Sequence, residues 1–563
     1  FIRGNHNLKA GVDFNILDLS GFAEVFLGGQ FTFAEAIPLA SIMNSLLGPG
    51  TAAGLIRQLS TPSSVGGLGR PDLAPNVLAP ISSVQAFNFG LPITYFQGFG
   101  NPNTSFNYYQ LGLYLQDSWR VRENFTLNLG VRYDVDFRPE TQNVTSATVP
   151  FSFDFGSTSD RNNVAPRLGF AWDPTNNGKT VVRGGYGLYY QNFFQAIAFV
   201  SQVLAGQISQ VFLPITGLPG FSATSKEIWG FFQKTGTLGE SALGAFGISP
   251  GTTPAAILPG DQNVVNPYSH HASFGIEQEL TPDLSISVDY LLNRGVHLIR
   301  SRDTNVRQVG PNQFQLFPSP TLLALDPRFV QVNMIETSGS SIYHGFSLSF
   351  RKRFSRNYSA MLSYTLGKVI DDTTDFITPL QPNNQADLRS ERSLSSFDQR
   401  NRLVISGLWQ SPHRLSSSNS LLRNVFADWS VAPIVTLSSG RPFNLLLGFD
   451  LNGDTHSQTD RPVLSDGTIV GRNTGKGPSF FTTDLRIARR FNFPRDETNF
   501  EFIFEAFNLF NNVNYSGVNN VVGTMPLTTG VVEGSNRVFA NQPLGFTSAF
   551  DPRQIQFGFR LNF

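Results

Sequence analysis

The run Phe125-Thr-Leu-Asn-Leu-Gly-Val-Arg-Tyr-Asp-Val135 decides the fold class. Phe125, Leu127, Leu129, Val131, Tyr133 and Val135 hold alternate positions, and Thr126, Asn128, Gly130, Arg132 and Asp134 fill the gaps. Alternation of period two puts one set on each face of a β-strand, so this segment is apolar on one side and polar on the other. The pattern recurs outward along the chain. Tyr109, Leu111, Leu113 and Leu115 alternate with Gln110, Gly112, Tyr114 and Gln116. Leu284, Ile286, Val288 and Tyr290 oppose Ser285, Ser287 and Asp289, and Phe346, Leu348 and Phe350 oppose Ser347, Ser349 and Arg351. Phe500, Phe502, Phe504 and Ala506 oppose Glu501 and Glu505. The chain ends on Ile555, Phe557, Phe559, Leu561 and Phe563 against Gln554, Gln556, Gly558, Arg560 and Asn562.

About fifteen such segments can be read between turn residues, each of about 9–13 residues, near the length that crosses a bilayer at a tilt. They fall at 5–16, 30–35, 107–120, 124–137, 163–174, 178–191, 271–281, 283–299, 341–354, 357–368, 400–410, 428–439, 480–491, 498–510 and 553–563. Tight polar turns join 107–120 to 124–137, 163–174 to 178–191, 271–281 to 283–299, 341–354 to 357–368 and 480–491 to 498–510. Between these pairs lie long stretches rich in Gly, Pro and Asn, such as 36–106, 192–270 and 440–479. Short turns at one end and long loops at the other are the habit of outer-membrane barrels. The faces point the same way. In a two-layer sandwich Arg132, Asp134, Arg183, Asp289, Glu501, Glu505 and Arg560 would enter a dry core, whereas a barrel places them in a wet lumen and gives the apolar face to lipid. The sequence therefore predicts an all-β, antiparallel transmembrane β-barrel domain over residues 1–563.

Composition agrees. Only 15% of the 563 residues are charged, against about 25% in an average soluble protein. The mean hydropathy of −0.10 is then set by uncharged Asn, Gln, Ser and Thr. Zero net charge gives nucleic acid nothing to bind. Absence of cysteine excludes disulfides and thiolate metal sites. No run of 18 apolar residues offers a transmembrane helix. Because the chain starts at Phe1 and leads straight into a strand pattern, the expectation is that an N-terminal part of a longer protein precedes it. Basic residues gather beside the short turns, among them Arg120, Arg122, Lys179, Arg351, Lys352, Arg353, Arg356, Arg489, Arg490 and Arg495. They fit a solvated rim or contact with anionic headgroups.

Particular motifs carry a family resemblance. Tyr114-Leu-Gln-Asp-Ser-Trp119 followed by Leu127-Asn-Leu-Gly-Val-Arg-Tyr133 resembles a strand pair of TonB-dependent receptors. Pro166-Arg-Leu-Gly-Phe170, Val182-Arg-Gly-Gly-Tyr-Gly187, Ser396-Phe-Asp-Gln-Arg-Asn-Arg402, Ser439-Gly-Arg-Pro442 and Glu505-Ala-Phe-Asn-Leu-Phe-Asn511 are similar to its Oar-like branch. The resemblance implies a barrel of about 22 strands around an N-terminal plug, so this chain would be the C-terminal portion, without the plug. It implies an outer-membrane receptor or transporter taking up a large substrate: an oligosaccharide, a chelated metal or a peptide. A TonB-type energy-transducing protein would be contacted through the upstream region. Protein export is the related alternative for Oar-like members, and a surface-display or adhesin barrel is the alternative from another class. The closing strand, with Phe557, Phe559, Leu561 and the terminal Phe563, looks like the signal read by the barrel-assembly machinery. It is equally a lipid-facing strand with an aromatic anchor.

Motifs for chemistry are weak, and no enzyme or cofactor is expected. Gly247-Ile-Ser-Pro-Gly251 matches a nucleophile elbow, yet Pro250 lacks the N–H that an oxyanion hole needs after the serine. Gly178-Lys-Thr180 lacks the earlier glycine of a phosphate loop, and His270-His271 lacks metal-ligand spacing. Asp450, Asn452 and Asp454 share the spacing of a calcium loop, but Thr455 and Arg461 stand where its later glycine and glutamate would be. Phe193, Phe194, Trp229 and Phe231 lie in the long stretch 192–270, where aromatics can stack on a ligand or pack the loop onto itself.

Overall fold

The computed structural model describes the chain apart from residues 23–26, 34–38, 72–76, 78–80, 82, 139–158, 204–207, 215–223, 237, 249–254, 259, 262, 311–312, 316–328, 374, 376–380, 413–424, 448–450, 453, 455, 457, 464–467, 494–497 and 522–544. Its dominant feature is a wall of long strands: β1 (His6–Phe22), β2 (Asn103–Arg122), β3 (Phe125–Phe137), β4 (Val164–Trp172), β5 (Thr180–Tyr190), β6 (Tyr268–Thr281) and β7 (Leu284–Asp303). The wall continues with β8 (Phe329–Ser355), β9 (Tyr358–Asp371), β10 (Asn401–Gln410), β11 (Trp429–Ser438), β12 (Phe480–Asn492), β13 (Asn499–Phe507) and β14 (Gln554–Asn562). Each strand pairs antiparallel with the next in chain order, so the wall is an up-and-down meander. Among the described residues no pairing joins β1 to β14. No described helix is long and apolar enough to cross a membrane.

Local chemistry sets the short turns. Arg356 and Asn357 both have positive φ (49° and 70°), the conformation of a two-residue hairpin whose twist matches the flanking strands. Between β4 and β5, the Asp173 carboxylate accepts from the Gly178 and Thr175 backbone N–H groups at 2.6 and 3.1 Å. Those hydrogen bonds hold its pKa below the ordinary carboxylate value.

The apolar face looks outward and is covered by none of the described residues. Leu113 is 41% exposed, Leu115 52%, Val131 41%, Phe557 63% and Phe559 68%. A two-layer interior is therefore excluded. This face is also banded. Of the five tryptophans, Trp119, Trp172, Trp409 and Trp429 lie on it at the short-turn ends of β2, β4, β10 and β11. His6 stacks on Trp119 at 5.2 Å, and Arg489 lies over Trp429 and Phe491 at 5.3 and 4.7 Å. Toward the long-loop end, tyrosine hydroxyls on the same face find polar partners. Tyr186 meets His270 at 2.8 Å, Tyr290 meets His344 at 2.7 Å, and Tyr364 donates to Asn401 at 2.7 Å. Rings with an apolar body and a wet tip mark both edges of a transmembrane band.

Two sequence expectations need correction. Residues 30–35 are not a wall strand. Gln30–Thr32 is a short strand paired with Thr94–Gly100, which pairs in turn with Ile208–Pro214, in a small sheet built by the long loops. Three or four residues cannot span a bilayer. Second, β7 and β8 run beyond 299 and start before 341, pairing as far as Asp303 with Asn333. Their extensions carry polar residues buried beneath loops, such as Gln331, Asn333 and Glu336, so the apolar alternation that marks lipid-crossing strands stops short of them.

The loop sheet has its own core of Tyr95, Val211, Leu213, Ile228, Leu243 and Ile248. The helix Ser225–Thr235 that supplies Ile228 starts at a reciprocal capping box. Glu227 N–H donates to the Thr224 hydroxyl, Thr224 N–H donates to the Glu227 carboxylate at 2.7 Å, and Gly236 ends the helix at φ 70°.

Candidate functional site

The polar face of the wall is a set of cross-strand ion pairs. Arg132 on β3 bonds Asp134 through Nη2 at 2.8 Å and reaches Asp13 on β1 at 3.6 Å. It passes over Gly112 of the intervening β2, where a Cβ would sit 2.4 Å from the guanidinium. Asp289 on β7 lies in the same way over Gly275 of β6. Arg183 pairs with Glu277 at 3.6 Å, Glu501 with Arg560 at 3.5 Å, and Glu505 with Arg486 at 3.4 Å. The residues singled out in the sequence thus share one face, and the structure adds Asp13, Glu277 and Arg486 as partners. Their alternation was visible beforehand, but the pairing needed the register. Arg167 extends the face, stacked over Tyr189 at 4.5 Å, whose ring is 4.7 Å from His271.

Near the long-loop end this face changes character. Leu17, Leu19 and Phe106 line it together with buried Tyr108, and the helix Gln195–Gln202 packs Ile197 and Ala198 onto them. Asp136 anchors the approach by accepting from Phe193 N–H at 2.7 Å and from Asn266 at 3.0 Å. Arg138 donates to Val264 O and Asn266 at 2.6 and 2.8 Å and lies over the Phe193 ring at 4.6 Å. Burial pushes the Arg138 pKa down, and the charge of Asp136 works against that shift. A long loop is therefore fastened against the wall.

A second anchored region joins three other loops. Arg461 makes two parallel bonds of 2.8 Å to Glu391, and Arg472 bonds the Glu391 carbonyl at 2.8 Å as well as the Asp371 carboxylate. Next to it, His456 meets Asp303 at 3.2 Å. Asn452 and Asp454 sit in this knot: Asp454 accepts from His456 N–H at 2.9 Å and from Gln385 at 3.3 Å. Their oxygens serve loop hydrogen bonds, and Asp450 lies outside the described residues. Among the described residues no group of three His, Cys, Asp or Glu could hold a metal ion.

The loop aromatics divide. Phe193 is 2% exposed, Trp229 packs edge-on to Phe31 and Phe33, and Phe231 packs edge-on to Phe246. Those three stabilise loops in this arrangement, and Phe194 faces outward at 43% exposure. Sequence inspection missed Glu391, Arg461, Arg472, Asp136 and Arg138 because their partners are loops apart.

A family model described as an outer membrane beta barrel domain matches residues 1–469 and 465–556. The TonB-dependent transporter Oar of Myxococcus xanthus is 23% identical over 507 residues, which is 80% of this chain and 42% of that protein. Among solved structures, the outer membrane transporter YddB from Escherichia coli covers 83% of this chain and 46% of its own, at 13% identity and TM-score 0.47. A mutant ferric enterobactin receptor, PfeA, from Pseudomonas aeruginosa covers 83% and 49%, at 11% identity and TM-score 0.42. The chain spans less than half the length of each of these relatives.

Proposed function

This chain belongs to the outer membrane beta barrel domain family and to the bacterial outer membrane, and from that premise we propose that it forms wall and mouth of a TonB-dependent receptor that takes up a large substrate. The observation that carries the reading is the two-faced meander. An exposed, aromatic-edged apolar face meets lipid, and the ion-paired face carrying Arg132, Asp134, Arg183, Asp289, Glu501, Glu505 and Arg560 lines a wet passage. The role is binding and passage, with no chemical step. Energy would come from a TonB-type transducing protein, and Phe557, Phe559, Leu561 and Phe563 on the outer face of β14 would be read by the barrel-assembly machinery.

The test is a gene deletion grown on oligosaccharides, chelated iron and peptides as sole sources. Uptake predicts a defect on one source, restored by the gene and mimicked by a protonophore. A display role is favoured by one observation, the separately cored loop sheet. It predicts no growth defect on any source together with lost surface adhesion, and that outcome would replace the uptake reading.

A further inference from the structure

A cavity of about 760 Å³ opens between the polar face of β10, β11 and β12 and two short two-stranded ladders of the loops. One ladder pairs Pro442–Phe443 with Gly475–Lys476, and the other pairs Tyr515–Val518 with Phe546–Ala549. The volume lies in the range of small-molecule sites. Its backbone is tightly determined. Gly477 N–H donates to the Arg441 carbonyl at 2.8 Å, and a Cβ on Gly440 would sit 1.8 Å from the Gly477 carbonyl. The Ser439-Gly-Arg-Pro442 motif is therefore a close crossing with the segment around Gly477 that holds Arg441 at the cavity wall.

The charge lining is one-sided. Arg402 and Arg441 both line the cavity, and among the described residues its lining includes no aspartate or glutamate. Lower on the same face Arg132, Arg183, Arg486 and Arg560 each pair with a carboxylate, whereas among the described residues no ion pair takes up Arg402 or Arg441. Rings complete the wall: Phe443, Tyr515 stacked on Phe546 at 3.7 Å, and Phe550 edge-on to Phe480 at 5.3 Å. A guanidinium pair accepts a carboxylate through parallel N–H donors, and aromatic faces accept a flat ring.

We propose that this cavity binds a carboxylate attached to a ring-bearing body, free or as the exposed end of a larger cargo. Arg402 and Arg441 take the charge, and Phe443 and Tyr515 take the ring. The proposal deepens the uptake reading by naming its cargo class and rests on that reading for its biological sense. Binding itself needs no energy coupling, so the two can fail separately.

The experiment uses the purified full chain folded in detergent, with saturation-transfer NMR of hippurate, its neutral analogue hippuramide, and inorganic phosphate as competitor. Hippurate is expected to bind at least tenfold more tightly than hippuramide. Arg402→Gln and Arg441→Gln are each expected to weaken it about tenfold or more, and Arg441→Lys to recover part of the loss. Faster migration of unboiled samples confirms that the variants are folded. Equal binding of hippuramide, no hippurate binding by the parent chain, or full binding by the folded double glutamine variant would overturn the site. Phosphate competing as strongly as hippurate would remove the ring from the proposal. Hippurate binding without any growth defect in the deletion strain would sink uptake and leave the site standing.

Discussion

Arg132 and Arg461 carry the same guanidinium and both face carboxylates, yet their surroundings differ. The Asp13 side chain that Arg132 reaches is 52% exposed, whereas Arg461 and Glu391 are 5% and 3% exposed. Water screens the first pair, so Asp13→Asn is expected to lower stability by less than about 1 kcal/mol, read from urea unfolding in detergent. Glu391→Gln would leave Arg461 buried with half its partner gone, at about 3–5 kcal/mol. That loss should fall on the loops. Protease is expected to cut near 381–395 and 458–475 while unboiled samples keep their fast migration. Asp283, in the turn before β7, supplies a pH dependence. It accepts from the Lys352 ammonium at 2.6 Å, from Ser355, and from Thr281 at 2.6 Å, and these bonds hold its carboxyl well below the usual range. A depressed carboxylate pKa stabilises the folded state above the unfolded value of about 4 and loses that contribution as pH falls below it. The heat-unfolding midpoint of the parent chain should therefore drop more steeply from pH 4 downward than that of Asp283→Asn.

At the level of single strands, the face decides what a substitution does. Leu115 is 52% exposed, and an exposed leucine on a soluble protein tolerates arginine almost freely. In a strand that meets lipid, Leu115→Arg is expected to cost about 2–4 kcal/mol at mid-depth. A change within 0.5 kcal/mol in reversible unfolding from vesicles would contradict the membrane assignment. The tryptophan band gives an optical check. Trp119, Trp172, Trp409 and Trp429 sit at one end of their strands, so lipids brominated near the headgroup should quench emission more than lipids brominated near the chain terminus. Strand existence was legible because alternation is local: 124–137 was expected, and β3 is Phe125–Phe137. The ends of β7 and β8 were not legible, since Gln331, Asn333 and Glu336 are buried by loops distant in the chain.

Across the whole molecule, the described parts of two long-loop regions are fastened to the wall or to one another. Phe193 fixes one of them by giving its N–H to Asp136 and its ring to Arg138. Phe193→Ala is expected to remove about 3–5 kcal/mol of packing and to release the helix Gln195–Gln202. Hydrogen exchange should then rise over 195–202 and 264–267 and stay unchanged in β8 and β9. Slow exchange throughout would mean that the loop is held elsewhere. The sequence left two uses open for the loop aromatics, ligand stacking or self-packing. Phe193, Trp229 and Phe231 pack, an outcome set by contacts with Phe31, Phe33 and Phe246 that no local pattern encodes.

By itself the sequence determined the strands, their two faces and the end at which loops are long. Those properties follow from period-two alternation and turn residues, which act over a few neighbouring positions. Tertiary structure alone decided that Arg132 reaches Asp13 across a glycine, that Glu391 holds two arginines, and that Arg402 and Arg441 share a cavity with no carboxylate among its described lining residues. Each of these depends on register or on loops meeting across long separations, where no residue's neighbours in sequence are its neighbours in space.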